Sequence, residues 1–126
     1  MTVARFTIPL EPRSKKNSQR IAVRGNRRFI LPSLQYEQYE KDSAPFVPKG
    51  MHIDYPVNIK VSFFMRTRRK CDLVNLLEAI DDILTHYNVI ADDNYTIVQS
   101  HDGSRVYVDK ENPRAEIEIR RAEEGK

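Results

Sequence analysis

Two periodicities follow one another between residues 56 and 86, and they leave few architectures open. Residues 56–65, PVNIKVSFFM, alternate with period two. Val57, Ile59, Val61 and Phe63 point one way, and Asn58, Lys60 and Ser62 point the other, as in a strand with one covered face. Over residues 73–86 the period changes to 3.6. Leu73, Leu76, Leu77, Ile80, Ile83 and Leu84 form an apolar stripe, while Asn75, Glu78 and Asp82 share a different face. A half-covered strand followed by an amphipathic helix is the signature of layered α/β architecture.

The remaining elements are weaker. Residues 3–8 read as a first strand. Residues 11–26 are polar and basic, with Pro12, Ser14, Asn17, Gly25 and Asn26 as breakers, and predict a long loop or loose hairpin. Residues 27–31 predict a returning strand. Pro32-Ser33 starts a helix of about ten residues carrying Leu34, Tyr36 and Tyr39, which Pro45, Pro48 and Gly50 end. A turn spans Asn88–Asn94. Residues 95–100 and 104–108 predict strands joined by an Asp102-Gly103 turn. Residues 114–120 alternate Ala115, Ile117 and Ile119 with Glu116, Glu118 and Arg120, and Arg121–Lys126 predicts a frayed tail. The expected fold class is α/β (α+β): a small mixed β-sheet with two main helices packed on it, in one domain over residues 1–126.

Several classes are excluded. No run approaches the roughly 18 apolar residues of a membrane span, and the first residues lack a secretory cleavage pattern. Cys71 is the one cysteine, so there is neither an internal disulfide nor a cysteine zinc cluster, and a reducing cytoplasm is the expected compartment. Tyr36, Tyr39, Phe63 and Phe64 read as core. His52, His86 and His101 show no metal-ligand spacing, and His86 reads as a helix-end residue. Cys71 beside Lys70 invites a lowered pKa, but without a partner histidine it reads as a bystander thiol. The glycines are scattered singly, so no phosphate-binding glycine loop is present.

Charge is distributed unevenly. Residues 1–70 hold 15 Lys+Arg against 5 Asp+Glu, and residues 71–126 hold 6 against 13. Eleven of the 21 basic residues fall in two segments. One comprises Arg13, Lys15, Lys16, Arg20, Arg24, Arg27 and Arg28, the basic loop 11–28. The other comprises Arg66, Arg68, Arg69 and Lys70. Such clusters suit a polyanion, nucleic acid being the commonest, or form a solvated basic face. Phe29, between these arginines, is a candidate for contact with an unstacked base.

The acidic residues Asp72, Glu78, Asp81, Asp82, Asp92 and Asp93 lie in and around the helix of residues 73–86. Phosphodiester hydrolysis uses carboxylates around a divalent metal, and two or three suffice for magnesium. Each acid also has a plain structural reading: Asp72 as a helix N-cap, Asp92-Asp93 as turn chemistry, and Glu78, Asp81 and Asp82 as a solvated helix face.

The string RTRRKCDLVNLLEAIDDILTHYNVIADDNYTIV resembles the RusA-like Holliday-junction resolvases. That family carries a basic strand end, Asp-x-Asp-Asn-Leu at a helix start, a helix lysine, Asp-Ala-Leu near the helix end, and Asp-Asp in the following turn. Arg68, Arg69 and Lys70 match the basic element, Asp72 the first aspartate, and Asn75 and Leu76 the Asn-Leu. Asp82 and Leu84 match the helix end, and Asp92-Asp93 the turn. PLEPRSKKNSQRI and NPRAEIEI are similar to the family's opening and closing segments.

The resemblance implies a magnesium-dependent (or manganese-dependent) endonuclease that resolves four-way junctions as a homodimer. It implies metal at Asp72 and Asp93 with Glu78 or Asp92 assisting, Asn75 and Asp82 in support, and a cytoplasmic protein of phage or prophage origin. Two positions depart: the family's second aspartate falls on Val74, and its helix lysine on Glu78. Glu78 replaces the missing carboxylate, or the chain binds branched DNA or an operator with little or no cutting. A nuclease or phosphatase acting on unbranched substrates is a further reading.

Overall fold

Alternation along one central strand decides where the core lies. The computed structural model describes residues 1–16, 20–31 and 33–122; expectations that fall on Asn17, Pro32 and residues 123–126 lie outside these. In chain order the elements are β1 (Thr2–Ile8), β2 (Arg20–Arg24), β3 (Arg27–Leu31), α1 (Leu34–Ser43), β4 (Val57–Met65), α2 (Leu73–His86), β5 (Val98–Ser100), β6 (Arg105–Val108) and β7 (Arg114–Arg121). A short 3-10 turn, Ala44–Phe46, follows α1. The fold is α+β, with a mixed sheet and two helices, as the sequence predicts. No helix among the described residues is long and apolar enough to cross a membrane.

The main sheet runs β1-β7-β4-β5, with β6 also on β4. β7 is antiparallel to both β1 and β4, whereas β5 and β6 run parallel to β4. Val57, Ile59, Val61 and Phe63 of β4 and Ala115, Ile117 and Ile119 of β7 are buried, and their neighbours along each strand are not. Onto this face α2 lays Leu76, Ala79, Ile80, Ile83 and Leu84, all buried. Tyr36 and Tyr39 of α1 complete the core, and the Tyr36 hydroxyl donates to the Ala79 carbonyl at 3.4 Å. Ser33 caps α1, its Oγ accepting from the Tyr36 amide at 3.1 Å.

The hairpin reading of residues 11–26 holds: β2 pairs with the returning strand β3 across a tight turn in which Gly25 takes φ 62°. Four expectations change. Strand 95–100 shrinks to Val98–Ser100, because the Asn94 carbonyl binds the amides of Ile97 and Val98 and makes a turn there. The Asp102-Gly103 turn does not fold β5 against β6. Both strands continue along one edge of β4, and side chains bridge the gap: His101 Nδ1 lies 2.8 Å from the Ile59 carbonyl, and the Val61 amide donates to Ser104 Oγ at 3.0 Å. Phe64 lies on the open face of the sheet rather than in the core, stacked on Tyr107 at 5.0 Å with the Arg114 guanidinium 3.8 Å from its ring. The C-terminal end is tied down further than expected, since Arg121 belongs to β7 and the Ala122 amide donates to the Pro56 carbonyl at 3.0 Å.

Candidate active site

The start of α2 is built by an aspartate whose carboxylate is left over. Asp72 occupies the N-cap in extended conformation (φ −89°, ψ 126°), and its carbonyl accepts from the Leu76 amide at 3.1 Å. Its side chain makes no capping bond. The exposed carboxylate accepts instead from Asn75 Nδ2 at 3.3 Å. Asp72 is therefore an N-cap by position only, and the plain capping reading does not account for its side chain. Val74 points away from the core, 72% exposed.

The basic segment before α2 is exposed from Arg66 to Lys70. The Arg66 amide donates to Glu11 at 3.2 Å, and Glu11 also holds the Arg13 guanidinium at 3.1 Å. Arg68, Arg69 and Lys70 make no ion pair among the described residues. Cys71 is half-buried, and burial followed by the charge of Asp72 pushes its thiol up. The lowered pKa considered for it is absent, because the neighbouring carboxylate and the loss of water both disfavour a thiolate.

The far face of α2 meets an N-terminal strap, residues 11–16. Pro12 and Ser14 are buried and anchor the strap, and the Lys16 amide donates to Ser14 Oγ at 3.1 Å. Lys15 Nζ reaches Asp82 Oδ2 at 2.7 Å, lying 5.9 Å from the Tyr36 ring centre, and Lys16 Nζ stands 3.4 Å from Glu78. Glu78 and Asp82 are thus a helix face clamped by two lysines rather than solvated freely.

Asp92 and Asp93 sit in the turn after α2. Behind them Val89 and Ile90 are fully buried, and the Ile53 backbone pins the turn: the Ile53 amide donates to Val89 at 3.0 Å and the Ala91 amide to Ile53 at 2.8 Å. Asp92 accepts from the Asp93 amide at 2.7 Å and from Asn94 Nδ2 at 3.1 Å, and these bonds, the amide first, hold its carboxyl below the usual range. The Asp93 carboxyl is pushed up by lost hydration, by its contact with Asp92 and by the charge of Asp82.

Among the described residues, no three His, Cys, Asp or Glu side chains gather closely enough to hold one ion. Asp72, Glu78 and Asp93 are not drawn around a single point. The carboxylates nearest to such a role stand apart: Asp72 is held by Asn75, Asp82 by Lys15, and Asp93 lies in the turn beside Asp92. Oxygen donors of this kind fit magnesium, which keeps several of its waters.

The sequence reading missed one ionic pair. Asp81, read as part of a solvated face, is largely buried, and its Oδ2 lies 2.9 Å from His101 Nε2. Burial outweighs the histidine's influence and raises the Asp81 carboxyl. Burial lowers His101, but the Asp81 bond and charge and the Ile59 carbonyl outweigh it and raise the imidazole. Both ring nitrogens face oxygens, which is the arrangement of an imidazolium. Asp81 Oδ1 is buried and has no partner among the described residues. Twenty residues separate the two, and no local spacing announces them.

A protein-family model described as endodeoxyribonuclease RusA matches residues 9–120. No curated protein gives a match.

Proposed function

Since the chain belongs to the RusA endodeoxyribonuclease family, we propose that it is a divalent-metal-dependent endonuclease that resolves four-way DNA junctions. The observation that carries this reading is Asp72. A carboxylate at a helix start that leaves the cap unmade, held by Asn75 and preceded by three basic residues with no ion pair among the described residues, has chemistry to spare. Arg68, Arg69 and Lys70 would grip the scissile backbone, and Arg24, Arg27 and Arg28 would form the wider DNA-binding surface, bordered by Arg13, Lys15, Lys16 and Arg20, which pair with Glu11, Asp82, Glu78 and Glu37. Asp72 and Asp93 would be the metal ligands, with Glu78 or Asp92 assisting and Asp82 in support, and binding of the ion would have to draw them together. Bound magnesium would neutralise phosphate charge and lower the pKa of a water. Asn75 orients the Asp72 carboxylate throughout. Two cuts on a two-fold substrate imply a homodimer.

Two observations favour a second reading, a branched-DNA or operator binder that cuts little. Val74 is exposed and offers no donor, and Glu78 and Asp82 are already engaged by Lys16 and Lys15. One experiment separates these readings: a synthetic four-way junction with Mg²⁺ or Mn²⁺, its strands resolved on a denaturing gel beside a linear duplex. Paired symmetric nicks in the junction alone support the resolvase. Binding without nicks supports the binder, and equal cutting of the duplex supports a nuclease for unbranched DNA. Asp72→Asn keeps the side chain's size and its bond to Asn75. It should fold, bind and fail to cut, and normal cutting by this variant would remove Asp72 from the site.

A further inference from the structure

The β2–β3 hairpin has two unlike faces. Its register sets Arg20 opposite Leu31, Ile21 opposite Ile30, Ala22 opposite Phe29 and Val23 opposite Arg28. Side chains directly opposite one another on an antiparallel pair share a face. One face is therefore Arg20, Ala22, Phe29 and Leu31. Arg20, Ala22 and Leu31 are half-buried there, and Arg20 reaches Glu37 of α1 at 2.5 Å. The opposite face carries Arg28 together with Ile21, Val23 and Ile30, and these three apolar side chains are 69%, 67% and 71% exposed. Single exposed apolar residues are ordinary, but three side by side on one face of a ribbon mark a surface that is covered in use.

Charge says what covers it. Residues 12–36 contain no Asp or Glu. Arg24, Arg27 and Arg28 are exposed and make no ion pair among the described residues. A second copy laid face to face would bring two arginine-rich tips together with no acid in either. A nucleic acid supplies phosphates for the arginines and flat apolar base faces for the centre. We propose that Ile21, Val23 and Ile30 form an apolar wedge that packs against unstacked bases at the branch point of a DNA junction, with Arg24, Arg27 and Arg28 on the flanking phosphates.

This rests on the junction-binding reading above and gives it a source of selectivity. Phosphate contacts are available on any duplex. Unstacked base faces are cheap at a branch and costly within a continuous helix. Branched Ile and Val side chains, stiff at χ1, lose little freedom on making such a contact. Phe29, the aromatic that the sequence suggests for this role, lies on the other face of the hairpin.

The test uses the full chain, without divalent metal, on a four-way junction carrying 2-aminopurine at the branch point and on a linear duplex carrying it mid-helix. The wild type should raise fluorescence on the junction only. Ile21→Thr, Val23→Thr and Ile30→Thr together keep β-branching and remove the apolar surface. This variant should lose the rise and about tenfold in junction affinity, while duplex affinity stays within about twofold. Val23→Phe, which enlarges the wedge, should keep or increase the rise. An unchanged rise and junction affinity in the threonine variant would overturn the proposal. So would a wild-type dimer that the threonine variant splits in sedimentation, because the face would then cover a second copy. Wild-type protein that prefers the junction without any fluorescence rise overturns the wedge alone. Wild-type protein that binds neither DNA overturns the junction reading and the wedge with it.

Discussion

The basic loop 11–28 divides into two parts with opposite fates. In the strap, Lys15 and Lys16 are paired with Asp82 and Glu78, and Arg13 is paired with Glu11. In the hairpin, Arg24, Arg27 and Arg28 stand in water with no acid in reach among the described residues. Sequence lumps all of these into one polyanion-binding segment. The fold separates charge that organises the protein from charge offered to a partner, and only the second kind produces a strong salt dependence.

The largest effect should come from the offered set. Arg24→Ala, Arg27→Ala and Arg28→Ala together remove up to three phosphate contacts. The log–log salt slope of DNA binding should then fall by about 2.7 per protomer, which near 0.1 M salt is between two and three decades of affinity. Junction and duplex should suffer alike. A slope unchanged in this variant would erase the distinction between the two parts.

A part-buried pair offers the opposite extreme. His101→Ala leaves Asp81 with both oxygens unpartnered, at a cost of about 3 kcal/mol in urea unfolding and little change in DNA affinity. The wild type should also show a pH signature. Folding raises the His101 pKa above its ordinary 6.5, so the folded state holds its proton longer than the unfolded chain. The stability this contributes is complete below that ordinary value and is lost as pH rises through the raised one. The alanine variant should lack that loss.

The smallest effect should come from the strap. Lys15→Met keeps the aliphatic stem over Tyr36 and removes the charge beside Asp82. Stability should fall by at most about 1 kcal/mol. DNA affinity at fixed salt should change less than threefold. A drop as large as that of the hairpin arginines would place Lys15 among the contacting residues and blur the comparison.

The same contrast explains what could be read in advance. β4 and α2 were legible because burial imposes its period on residues close in sequence. Asp72, Asn75 and Asp92-Asp93 were legible because the family likeness marks them. The pairing of Lys15 with Asp82 spans 67 residues, and nothing local encodes it. β2 was legible only as one arm of a loose hairpin, because RIAVR is just three apolar residues between arginines, and its Ile21 and Val23 face water rather than core. The Asp102-Gly103 turn misled because the usual hairpin cue is overruled by Asn58. Its amide donates to the Asp102 carbonyl at 3.2 Å and accepts from the Asp102 amide at 2.7 Å, fastening the turn to β4.

The position of β7 has a consequence for how the molecule is made. β7 lies between β1 and β4, bonded to both, yet it leaves the ribosome well after either of them. Until Arg114 and the residues after it emerge, β1 and β4 each keep an open edge, and α2 has only part of the surface it must cover. A nascent chain of this design waits for its keystone with sticky strands exposed, the state in which chaperones bind and chains aggregate. A chain halted just short of Arg114 should therefore be insoluble rather than merely less active, and the pairing of distant segments should make folding slow for so small a protein.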